Sequence, residues 1–174
     1  MTARLDDLAY RRATPADAPA VAAVTVEGFE TYLEFAPAGW HVPTLAEELE
    51  IAKIVLAKPS IWCRLATAGS QPVAHVGFIA AAHSLASSDD ARLAHLWHLF
   101  VVRAWWGSGV ATLLLSAAVT AAHEAGFETM RLFTPADHGR ARRFYEREGW
   151  TMLREPGWDG PFGMPMAEYR RDLR

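Results

Sequence analysis

Cysteine is almost missing from this chain: Cys63 stands alone among 174 residues. An intrachain disulfide framework is therefore impossible, and a reducing, cytoplasmic setting is expected. No apolar run approaches the ~20 residues that a membrane-crossing helix needs, so no membrane association is expected. The opening stretch MTARLDDLAY is too polar for a secretory leader. An excess of positive charge is missing too. The net charge is −3, and no overall basic field is present to attract nucleic acid. There is neither an HExxH pair nor a cysteine cluster, so no metal site is expected, although His75 and His83 recur at even spacing. Internal repeats and low-complexity tracts are absent as well. What remains is one domain over residues 1–174, long enough to bury a core without metal or disulfide staples. A homodimer is compatible with these features.

Punctuation and hydrophobic period divide the chain. Tyr10 to Ala13 reads as a short strand. Thr14 caps a helix with Pro15 at its first position, and the helix runs towards Phe29. Thr44 caps a second helix, with Glu47 completing a capping box, and Lys58-Pro59 ends it. The period then shortens. Ser60 to Thr67 and Val73 to His83 read as a hairpin, and Leu93 to Val102 as a central strand. Gly109 to Ala125 is a long helix closed by Gly126. A strand at Thr129 to Thr134, a helix at Gly139 to Glu148 and strands at Trp150 to Arg154 and Met164 to Leu173 complete the order βααβββαβαββ. The class is α/β (α+β), one domain built on a mixed sheet.

The most informative segment is Val101-Val102-Arg103-Ala104-Trp105-Trp106-Gly107-Ser108-Gly109-Val110-Ala111-Thr112. An apolar strand feeds a short loop, a small-residue turn and a long helix. Small residues let backbone approach a ligand closely, and the first N–H groups of a helix seat phosphate. A P-loop would need Gly-Lys-Ser/Thr here, which is missing. A dinucleotide fold would place its glycines directly after its first strand, not late in the chain. A coenzyme A pyrophosphate site and a glycine that merely lets a helix pack tightly both remain open.

After the next strand comes His138-Gly139-Arg140-Ala141-Arg142-Arg143-Phe144-Tyr145-Glu146-Arg147-Glu148-Gly149-Trp150. Together the two segments resemble the GNAT superfamily of acyl-CoA N-acyltransferases. The family's Gln/Arg-x-x-Gly-x-Gly/Ala turn falls on Trp106, Gly109 and Ala111. Its Asn-x-x-Ala-x-x-x-Tyr-x-x-x-Gly-Phe motif falls on His138, Ala141, Tyr145, Gly149 and Trp150. Arg11-x-Ala13-Thr14-x-x-Asp17 is similar to the usual opening of such a domain, so the resemblance covers nearly the whole chain. Trp106 and His138 depart from the pattern, the first mattering little if that position contributes mainly backbone.

The resemblance implies an N-acetyltransferase that uses acetyl-CoA as co-substrate and a primary amine as acceptor, a small molecule or a peptide. It implies a splayed central strand pair, in which Leu99, Phe100 and Val101 offer backbone groups to the pantetheine arm and one N–H acts on the carbonyl oxygen. The turn Trp106, Gly107, Ser108, Gly109, Val110, Ala111 and Thr112 would bind the pyrophosphate, and His138 would meet the coenzyme. Tyr145 matches the tyrosine that protonates the leaving thiolate, or else simply packs beside Phe144. His95, eleven positions before Trp106, is the candidate general base. Regular alternation puts His95, Trp97 and Leu99 on one face and Leu96, His98 and Phe100 on the other. A core histidine and a water chain are the alternatives for that role.

The acceptor is expected between the first two helices, the central strands and the loop Pro156 to Gly163. Glu27, Glu30 and Glu34 share one helical face beside Phe29, Tyr32, Phe35 and Trp40. They form either a wall for a cationic amine or a solvated acidic face. Trp158, Asp159 and Phe162 would cap the pocket or only fasten the last hairpin. The rival reading is a non-catalytic acyl-CoA-binding or regulatory domain of the same fold.

Overall fold

Helix ends follow local signals closely. The computed structural model describes residues 5–154 and 163–174. Strand β1 is Leu8–Arg12, followed by a 3-10 turn and helix α1 at Ala18–Glu30. Helix α2 is Leu45–Leu56. Its capping box is formed in full: the Thr44 hydroxyl accepts from the Glu47 N–H at 3.2 Å, and the Glu47 carboxylate accepts from the Thr44 N–H at 2.7 Å. Strands β2 (Trp62–Ala68), β3 (Gln71–Ala80) and β4 (Leu93–Val101) form an antiparallel run. Helix α3 (Val110–Glu124), strand β5 (Thr129–Pro135), helix α4 (Gly139–Arg147) and strands β6 (Thr151–Arg154) and β7 (Met166–Asp172) complete the chain. His83 falls in a 3-10 turn beyond β3 rather than within the strand.

The seven strands lie in one mixed sheet, ordered β1-β2-β3-β4-β5-β7-β6. Both faces are covered. Leu114, Leu115, Ala118 and Ala122 of α3 lie on a core with Val76, Phe78, Leu96, Met130 and Leu132. On the other face, Val21 and Ala22 of α1 and Ala52 and Leu56 of α2 pack against Cys63, Leu65 and Ile79. Each fully buried leucine among these contributes about 1.5–3 kcal/mol of transfer free energy. Among the described residues no helix is long and apolar enough to cross a membrane.

Two irregularities in the sheet shape its centre. Strands β4 and β5 pair in parallel only from Leu93↔Thr129 to His95↔Arg131, and then separate. The second is a bulge between β3 and β4. Phe78 opposes Leu96 and Gly77 opposes His98, which leaves Trp97 as the extra residue. Gly77 makes room for it: a Cβ there would sit 3.2 Å from the Trp97 ring. Opposed residues share a face, so the bulge resets the phase of β4. His95 opposes Ile79, His98 opposes Gly77 and Phe100 opposes His75, all on the α1 face. Strict alternation, which separated His95 from His98, is therefore corrected.

The opening of the domain is fastened by an ion pair. Arg11 donates to both carboxylate oxygens of Asp17 at 2.7 and 2.6 Å, and the Thr14 N–H adds a third bond at 2.8 Å. The guanidinium and these N–H and O–H donors hold the Asp17 carboxyl far below the usual carboxylate range. A depressed folded-state pKa gives stability that is complete above the unfolded value of about 4 and fades as pH falls below it. Asp17→Asn is expected to cost about 1–2 kcal/mol at neutral pH, the exposure of Arg11 keeping the figure modest. Melting curves from pH 7 downwards check this: the gap between parent and variant should narrow below about pH 4.

Candidate active site

The separation of β4 from β5 opens a cavity of about 430 Å³. Its floor is the freed half of β4, from Leu96 to Val101, with Leu132, Phe133 and Thr134 of β5 opposite. One end is closed by the turn into α3 and by α4, the other by the end of α1 and Tyr32.

At the α3 end, Gly107 and Gly109 have φ of +78° and +92°, a left-handed backbone that side chains disfavour. A Cβ at Gly107 would meet nothing within 4 Å. The left-handed turn brings the α3 N-terminus to the cavity, where Gly107, Gly109, Ala111 and Thr112 line it. Ser108 and Val110 are not among the lining residues. The Ser108 hydroxyl donates to the Trp105 carbonyl at 2.8 Å, and Val110 is buried in the core. The Thr112 hydroxyl donates to Glu148 at 2.9 Å.

Trp106 does more than contribute backbone. Its indole N–H donates to the Val101 carbonyl at 2.8 Å. Two guanidiniums stand over its ring, Arg140 at 3.2 Å and Arg103 at 4.7 Å from the centroid. Arg140 and Phe144, unmarked in the sequence reading, both line the cavity from α4. They occupy variable positions of the α4 motif, so no pattern singles them out.

Tyr145 lines the cavity from α4 and is 8% exposed, edge-on to Phe144 at 5.2 Å and Trp150 at 5.9 Å. Burial, with the phenol of Tyr32 as a second cause, pushes its pKa up, so the hydroxyl keeps its proton throughout the neutral range. His138 caps the start of α4, stacked on Phe35 at 4.7 Å and edge-on to Tyr32 at 5.4 Å. Burial, reinforced by Arg140, lowers its pKa to about 4, which makes it a neutral ring.

His95 is not brought to the cavity. It packs 5.5 Å from Phe133, and burial together with Arg131 lowers its pKa to about 3. His98 does line the cavity, because the bulge at Trp97 turns it to the α1 side. It stacks on Trp97 at 3.9 Å and stands 5.6 Å from His75, with its Nδ1 buried and without a hydrogen-bond partner among the described residues. Burial holds His98 well below its usual pKa, so it is a neutral imidazole. His75, lowered to about 4 by burial, lies within 3.4 Å of the Thr25 hydroxyl.

Of the two readings of the acidic residues, the structure matches the solvated face: Glu27, Glu30 and Glu34 are not among the residues that line the cavity. Glu27 accepts from the Arg103 N–H at 2.9 Å and Glu34 from the Arg103 guanidinium at 2.8 Å. Glu30 lines a separate surface hollow with Glu27, Leu45 and Arg103. Trp158, Asp159 and Phe162 lie outside the described residues. Among the described residues, no group of three or more His, Cys, Asp or Glu side chains could hold a metal ion.

The fold is shared with solved acetyltransferases. A Thermus thermophilus acetyltransferase superposes with a TM-score of 0.72 at 21% identity, covering 95% of this chain and 96% of that one. The PaiA N-acetyltransferase of Thermoplasma acidophilum, solved with coenzyme A, gives 0.74 at 14% identity, covering 95% and 98%. A GNAT-family acetyltransferase of Staphylococcus aureus gives 0.72 at 15% identity, covering 96% and 99%. Among curated protein sequences nothing matches the chain. The model of the acetyltransferase (GNAT) family matches residues 26–150, well over half of the sequence. With its seven-stranded mixed sheet split at the centre, the chain belongs to the GNAT acetyltransferase family.

Proposed function

We propose that this protein transfers an acetyl group from acetyl-CoA to the primary amine of an acceptor. The observation that carries the reading is the convergence, on one cavity, of the α3 N-terminus, the freed edge of β4 and a buried, protonated Tyr145. The residues fit the coenzyme. The Ser108 hydroxyl takes the Val110 N–H at 3.3 Å, while the first-turn N–H groups of Ala111 and Thr112, with no partner inside the helix, and the helix dipole suit a pyrophosphate, and Leu99 to Val101 present a strand edge to an amide-bearing arm. The coenzyme supplies the acyl group as an activated thioester.

The chain's own residues supply the rest. Backbone N–H groups of the β4 edge stabilise negative charge on the carbonyl oxygen. The acceptor nitrogen bonds to the acyl carbon as the carbon–sulfur bond breaks. Tyr145 donates its proton to the departing sulfur. Proton loss from the nitrogen runs through the α1 side, where His98 lines the cavity and takes the place expected of His95. His138 contributes shape and a neutral ring beside the coenzyme arm.

The test is thiol release from acetyl-CoA across a panel of amines, with coenzyme binding followed by calorimetry. Amine-dependent release well above hydrolysis is the expected outcome. Tight acetyl-CoA binding without release for any amine would favour the non-catalytic acyl-CoA-binding reading.

A further inference from the structure

The α1 end of the cavity is built from rings. Phe29, Tyr32, Trp97, His98, Phe100 and Phe133 line it, and Phe29 meets Tyr32 and Phe100 edge-on, each at 5.1 Å. Two imidazoles line the cavity here, His98 and His138, the latter edge-on to Tyr32 at 5.4 Å. The nearby carboxylates of Glu27 and Glu34 are held outside by Arg103. An amine entering this recess meets aromatic faces and the neutral imidazoles of His98 and His138.

The recess also has a structural cost that points to its use. Gly28 lies inside α1, where glycine is among the poorest helix formers. A Cβ there would stand 2.1 Å from Cδ1 of Phe100. The Phe100 ring therefore lies directly against the α1 backbone, and this close approach leaves the recess open. Any larger residue at 28 would drive the ring into the space where an acceptor must sit.

Resting on the acetyltransferase reading, we propose that the acceptor is an arylalkylamine: a primary amine on a short stem carrying a flat apolar ring. The ring lies among Phe29, Tyr32 and Phe100, and the amine N–H donates to His98. Ring-on-ring contact is sequence-tolerant in chemistry but demanding in shape, favouring offset and edge-to-face packing. A polyamine would bury a second ammonium without a paired carboxylate, which is strongly unfavourable. Neutral aromatic walls hold one amine and its ring at far lower desolvation cost.

The experiment compares 2-phenylethylamine with spermidine and with glutamate as acceptors, for the parent and for Gly28→Ala. The expected result is a kcat/KM for 2-phenylethylamine at least about 10-fold above either rival. Gly28→Ala should lower that value by more than about 10-fold while acetyl-CoA binding, read by calorimetry, stays intact. Calorimetric binding of 2-phenylethylamine to the parent is measured separately, and should weaken in the same variant. Preference for spermidine or glutamate with intact coenzyme binding would overturn the acceptor assignment alone. Failure of acetyl-CoA to bind would overturn the transferase reading instead. If no amine turns over, binding of 2-phenylethylamine that Gly28→Ala weakens still supports the recess. Absence of that binding at millimolar amine sinks it.

Discussion

Ala111→Glu is expected to lower acetyl-CoA affinity by more than about 100-fold and to leave the protein folded. Ala111 is the second residue of α3 and lines the cavity at the seat proposed for the pyrophosphate. A carboxylate about 4 Å from a phosphate, at the dielectric of a protein surface, is repelled by up to about 4 kcal/mol per charge pair. That exceeds the ~2.7 kcal/mol that corresponds to 100-fold in affinity. The same carboxylate is welcome at a helix N-terminus, worth about 0.3–1 kcal/mol to the fold. Thermal stability should therefore hold or rise while binding fails, a combination that unfolding cannot mimic. Position 111 also has ordinary helical backbone, unlike Gly109 at φ +92°, where any side chain adds strain. Ala111→Gln, equal in size and uncharged, should lose much less. Calorimetry on the three proteins decides the matter: unchanged affinity in a folded Ala111→Glu would remove the α3 N-terminus as the phosphate seat.

The second large effect is expected at Tyr145. Tyr145→Phe keeps the ring and its edge-on contacts with Phe144 and Trp150 but removes the proton. Turnover should fall by about 10²–10⁴-fold if chemistry limits the rate. Coenzyme affinity should change by no more than about threefold, because the phenol acts mainly on the leaving sulfur. The raised pKa of this phenol adds a second reading. A proton held firmly through the neutral range predicts no loss of parent activity from Tyr145 ionisation below about pH 10. Steady-state thiol release across that range, beside calorimetric binding, separates the roles. Equal turnover in both proteins would remove Tyr145 as the acid.

What the sequence made legible was local. The Thr44–Glu47 capping box, the glycines at 109, 126 and 149 and the strand-turn-helix at 101–112 each depend on neighbours within a few residues. Their physics is carried by composition and spacing alone. The features missed depend on distant partners. Whether Glu27 and Glu34 face solvent or the acceptor was left open because Arg103, which engages both, lies about seventy positions further on. Gly28 gave no signal, since its purpose is the Phe100 ring from another element. Period-two alternation misplaced His98, because Gly77 and Trp97 meet across two strands to make the bulge. The side chain of Trp106 was discounted because its partners, Arg140 and Arg103, are brought to it only by the fold.

The bulge has a consequence for how this wall can vary. Pairing counts in twos, so one surplus residue divides β4 into halves of opposite parity. Exchanging Trp97 for another residue alters a single ring. Removing it outright would set Leu96 and His98 side by side opposite Phe78 and Gly77, and plain alternation would keep His98 and Phe100 towards α1 and Leu99 and Val101 towards α3. A single-codon loss at this point would thus straighten the strand without exchanging the acceptor wall and the hydrophobic core. The wall can therefore vary here in length as well as by substitution, because the surplus residue has no partner of its own to displace.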